Sequence, residues 1–145
     1  MDKVTKKDID NIAYDILKQS KCFGVFPTPV KEIVKFSELY VDTHTGIHDI
    51  PNNYISKKIG LLEKTIKKIF GALDRKRRII YVDPKLPILK RNFVELHEVG
   101  HDVITWQRKT FEFVEDHETL SPQTKIEFEA EANYFASASL FVNSG

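Results

Sequence analysis

The chain has 145 residues, with 22 Lys+Arg against 21 Asp+Glu, a net charge of +1. Hydrophobic residues make up 41% and charged residues 30%, a globular composition rather than a disordered or fibrous one. This balance demands no nucleic-acid or anionic-membrane partner. The one cysteine, Cys22, cannot build a disulfide framework or a thiolate zinc site, and it fits a reducing cytosol. No apolar run approaches the ~20 residues of a membrane span, and Met1–Lys7 contains no signal-peptide core. A cytoplasmic location is therefore expected, in one domain over residues 1–145.

Thr5 is read as the N-cap of a first helix, with Asp8 at the N3 position of a capping box. Ile9, Ile12, Ala13, Ile16 and Leu17 then recur at helical spacing, fading near Gln19 and Ser20. Thr28-Pro29 restarts a helix, with Pro29 at its first position and Val30, Ile33 and Val34 facing the core. Residues 38–42 read as a short strand and residues 43–53 as a loop. Ile55, Ile59, Leu62, Ile66 and Ile69 form a helical stripe, interrupted by Gly60. Residues 68–82 read as a hairpin turning at 74–77, since Arg78-Ile79-Ile80-Tyr81-Val82 is β-branched and aromatic-rich. A helix is expected over about 89–106, and another from Ser121-Pro122 through Leu140. Residues 107–120 read as a polar surface connection.

His97-Glu98-Val99-Gly100-His101 is an H-E-x-x-H motif. Two histidines at i and i+4 differ by ~40° around a helix and ~6 Å along it, so both rings can reach one ion. The intervening glutamate sits apart from them, placed to take a proton from water at the metal. Zinc favours tetrahedral nitrogen and oxygen ligands and keeps one open position when catalytic. A third ligand is needed from another segment, and the acidic helix offers it. Glu129 and Asn133 share one face there, so Glu129 can bind the ion while Asn133 orients a ligand histidine. Ala130, Ala132 and Ala136 permit close helix approach, and Glu127 and Glu131 are expected on a solvated face.

The run Phe93-Val94-Glu95-Leu96-His97-Glu98-Val99-Gly100-His101, followed by Glu129-Ala130-Glu131-Ala132-Asn133-Tyr134-Phe135-Ala136, resembles the ImmA/IrrE family of zinc metallopeptidases. That family pairs F-x-x-x-H-E-x-G-H with a downstream E-x-x-A-N-x-F-A, and the resemblance covers roughly residues 26–141. It implies zinc held by His97, His101 and Glu129, with Glu98 as catalytic base. It also implies an α+β, zincin-like fold, with helices on a small mixed sheet and the metal site between two helices. Known members are intracellular and cleave helix-turn-helix transcriptional repressors, so the expected partner is such a repressor, with no direct nucleic-acid binding and no membrane. The family often continues its second motif with L-L-M-P and a further helical region. Here the chain reads Ser139-Leu140-Phe141-Val142-Asn143-Ser144-Gly145, so a domain shortened at that end is expected.

Lesser candidates remain. His44 and His48 flank Gly46 in a loop, and His117 lies in an acidic one. Tyr81 and Tyr134 are candidates to stabilise the transition state. Asp102 could orient a ligand histidine, though Asn133 is better supported. Trp106 reads as helix-end core, and the basic run Asp74–Arg78 as a solvated hairpin tip. Strands 68–73 and 78–82 are the candidate edge for an added substrate strand. Two rivals to a repressor-cleaving endopeptidase are a binding module with a structural metal and a toxin-like effector.

Overall fold

The computed structural model describes residues 1–44, 71–113 and 120–141. Five helices pack on a three-stranded mixed sheet among these residues. The order is α1 (Lys3–Gln19), α2 (Val30–Phe36), β1 (Tyr40–Asp42), β2 (Gly71–Asp74), β3 (Ile79–Val82), α3 (Ile88–Val103), α4 (Thr105–Phe113) and α5 (Pro122–Phe141). The expected loop at 43–53, the Ile55–Ile69 stripe, His48 and His117 lie wholly or largely outside the described residues.

Helix α1 buries the stripe Ile9, Ala13 and Leu17. Its N-cap lies three residues before the expected Thr5, because Asp2 is the better cap. Its carboxylate accepts the Thr5 amide at 2.7 Å. That bond holds the Asp2 carboxyl below its ordinary range, and a negative charge also suits the helix N-terminus. Asp8 is left exposed on the outer face. Pro29 is likewise the cap of α2 rather than its first residue, with a non-helical ψ of 82°. Val30, Ile33 and Val34 are buried as expected. At the start of α5, Ser121 Oγ accepts the Thr124 amide at 3.1 Å, and Pro122 takes the first helical position.

The sheet order is β1-β3-β2, with β1 parallel and β2 antiparallel to β3. The hairpin register pairs Gly71 with Val82 and Asp74 with Ile79. Asp74 Oδ1 accepts the Arg77 amide at 3.0 Å across the turn. The expectation that both hairpin strands form an edge is corrected here. Strand β3 is central, because β1 returns to its second side, and among the described residues β2 and β1 are the edge strands. All four residues of β2 are buried.

Helix α3 is the axis of the molecule. It packs on α2, on both hairpin strands, on α4 and most extensively on α5. Two glycines permit this. A Cβ on Gly100 would lie 3.0 Å from the Phe135 ring of α5, and one on Gly71 would lie 2.4 Å from Val94 of α3. The small residues that permit close approach are therefore Gly100 with the buried Ala132 and Ala136, whereas Ala130 is exposed.

The expected single helix over 89–106 is broken. Helix α3 ends at Val103, and Ile104 is fully buried in extended conformation (ψ 113°). The ladder stops at Ile104 N–H to Gly100 O and restarts at Arg108 N–H to Ile104 O, both 3.0 Å. The break turns residues 105–113 into a separate helix, so the surface connection expected from 107 does not begin there.

A candidate metal centre between two helices

The first functional side chains come from the C-terminal half of α3. His97 and His101 share one face, and their Nε2 atoms lie 3.1 Å apart. Helix α5 closes on them through Glu129. Its Oε2 is 2.9 Å from His97 Nε2 and its Oε1 is 3.2 Å from His101 Nε2. Asn133, one turn further along α5, places Oδ1 2.7 Å from His97 Nδ1. Glu98 is buried beside them, and His97, Glu98 and His101 each offer a ligand-type atom within 4.8 Å of the others. The structure thus brings together all five residues singled out in the two motifs.

The tautomers follow from the partners. Gln107 Oε1 lies 2.8 Å from His101 Nδ1, while its amide NH₂ donates to Phe128 O and to Glu131 Oε1, each at 3.0 Å. A flipped amide would set its oxygen against a carbonyl and a carboxylate. The oxygen therefore faces His101, and Nδ1 must carry the proton. The amide oxygen of Asn133 does the same for His97. Both Nε2 atoms then present lone pairs toward each other and toward a carboxylate. Three electron-rich groups converging with little solvent around them fit a cation. Their separations of 2.9–3.2 Å come close to the roughly 3.3 Å edge of a tetrahedron with ligands about 2.0 Å from its centre. The donor set, two imidazoles and one carboxylate, suits zinc.

Several residues sit elsewhere than expected. Asp102 does not reach a histidine. It pairs bidentately with Arg78, at 2.6 and 2.8 Å, and Arg78 also donates to Ser37 O at 2.7 Å. The Asp102 carboxylate raises the Arg78 guanidinium above its ordinary value. Arg75 donates to His101 O, the carbonyl released by the helix break, and stacks 3.9 Å from the Phe111 ring centre. The basic hairpin tip is thus half tethered rather than simply solvated, with Lys76 and Arg77 left exposed. Glu131 is not on a solvated face, since it accepts from Trp106 Nε1 at 2.8 Å as well as from Gln107. Glu127 is exposed, as expected. Tyr134 donates to Asp10 of α1 at 3.1 Å, and Tyr81 is buried in β3.

Gln107 is the residue that sequence reasoning missed. On a continuous helix, positions i and i+6 lie about 240° apart and cannot meet. Only the break at Ile104 carries Gln107 back to His101.

A family profile for the IrrE N-terminal-like domain of the M78 peptidases matches residues 46–143. The chain belongs to this family. The match spans the hairpin, the H-E-x-x-H helix and all of α5. No curated protein and no solved structure matches the chain. An IrrE N-terminal-like domain is a zincin-like, metallopeptidase-type domain, in keeping with the His-Glu-His cluster between α3 and α5. Among the described residues, no helix is long and apolar enough to cross a membrane.

Proposed function

We propose that this protein is a zinc-dependent endopeptidase that cuts a helix-turn-helix transcriptional repressor in the cytoplasm. The observation that carries the reading is the convergence of His97, His101 and Glu129, with Glu98 buried beside them. His97, His101 and Glu129 would hold the ion. Bound there, zinc supplies Lewis acidity, lowering the pKa of a water toward ~7 and polarising a carbonyl oxygen. Glu98 takes the proton from the attacking water and delivers it to the leaving amine nitrogen. Asn133 keeps the His97 ring turned to the site.

The substrate strand is assigned to the side of β2. This edge strand begins at Gly71, where a Cβ would lie 3.6 Å from Glu98 Oε2. An extended peptide pairing there would bring its carbonyls past the glutamate. The repressor as substrate class rests on the family resemblance.

The test mixes the zinc-loaded protein with the helix-turn-helix regulator encoded nearest its gene and reads intact mass. The native protein should give one discrete cut. Glu98→Gln should lose about 10²- to 10⁴-fold in rate. Repressor release without cleavage, equal in both proteins, would replace the peptidase with a docking module.

A further inference from the structure

We propose that Gln107, fixed by Glu131, is a positioning residue that sets the protonation site of His101 and thereby the affinity for metal. The inference rests on the zinc reading above and adds Gln107, which lies outside both motifs, and Glu131, which occupies an unspecified position of the second. Gln107 is fully buried, and all its polar atoms are engaged. Its oxygen accepts from His101 Nδ1, which reserves the Nε2 lone pair for the ion. Its NH₂ is spent on Phe128 O and Glu131, so the amide cannot turn over.

Glu131 touches neither histidine. It lies about 200° around α5 from Glu129, and one of its oxygens gathers the N–H groups of both Trp106 and Gln107. Helix α5 thus acts on the site twice. Glu129 faces the histidines directly, and Glu131 reaches His101 through Gln107. A group that orients a ligand histidine is worth about 10- to 100-fold in metal affinity. An amide oxygen at position 131 can accept the same two hydrogen bonds as the carboxylate.

The experiment measures zinc affinity of the full chain by competition with a chromophoric chelator, with circular dichroism confirming the fold. Gln107→Met should bind about 10- to 100-fold more weakly, and Glu131→Met about tenfold more weakly. Glu131→Gln should stay within about threefold of the native protein, because it keeps the accepting oxygen. Ring-nitrogen NMR of the metal-free native chain supplies a readout that requires no variant. It should show the His101 proton on Nδ1. A folded Gln107→Met with native affinity, or a native His101 with its proton on Nε2, would overturn the proposal. A native chain that takes up no zinc would overturn the metallopeptidase reading instead. In that case the ring spectrum still decides what Gln107 does.

Discussion

The two histidines of the candidate centre are held in unlike ways. His101 is almost fully buried, and everything around it is tied down. Gln107 holds its ring, Arg75 holds its carbonyl, and the neighbouring Asp102 is locked to Arg78. His97 lies nearer solvent, its Nδ1 held by the exposed Asn133. The difference separates two tasks. The inner side, built from the end of α3, the hairpin and α4, fixes a geometry. On the proposed reading, the outer side is where substrate and ion would enter. A metallopeptidase site needs both, since a closed shell would hold a metal but admit no peptide.

This contrast can be broken from the inner side first. Asp102→Ala strands a partly buried guanidinium and cuts one of the links from α3 to the hairpin. It should cost about 2–3 kcal/mol in chemical denaturation. Gly71→Ala drives a methyl group into Val94 and the Tyr81 carbonyl, and should cost about 1–3 kcal/mol. Because Gly71 also lies beside Glu98, cleavage should fall by more than the lost stability explains. On the outer side, Asn133→Ala should change stability by less than about 0.5 kcal/mol. Its effect on zinc affinity should stay at or below about tenfold, smaller than that of Gln107→Met. Equal effects at the two positions would erase the distinction between inner and outer sides.

The smallest expected effect comes from the middle of α3, at Glu95. Burial pushes the Glu95 carboxyl up, against the opposing charges of Arg91 and Lys31. A carboxyl whose folded pKa is raised holds its proton more tightly in the native state. Its favourable contribution is complete below the unfolded value of 4.5 and fades as pH rises through the folded one. Glu95→Gln should therefore flatten the decline in stability above pH 4.5, read by thermal unfolding across a pH series, and leave zinc affinity unchanged.

Much of this was legible because it is local. The stripe Ile9, Ala13 and Leu17, the hairpin around residues 74–78 and the start of α5 at Ser121-Pro122 each announce themselves within a few residues. The motif pair also placed His97, Glu98, His101, Glu129 and Asn133 on candidate faces before any contact was known. The missing pieces are tertiary. Val103-Ile104-Thr105 contains no helix breaker, and Ile104 leaves the helix while fully buried, with Arg75 capping the released carbonyl of His101. Without that break Gln107 points away from the site. Glu131 reads as a solvated residue until α4 is known to lie against it. The parallel pairing of β1 with β3, which displaces β3 from the edge, joins residues 39 positions apart and leaves no local mark.

The most direct test separates the two carboxylates, since both Glu98 and Glu129 stand beside the histidines. Zinc binding would be titrated calorimetrically into the native chain, Glu98→Gln and Glu129→Ala. The account predicts one ion per chain in the native protein and in Glu98→Gln, with affinity lost by about 100-fold or more in Glu129→Ala. Loss of zinc in Glu98→Gln with retention in Glu129→Ala would exchange the two roles and contradict the mechanism.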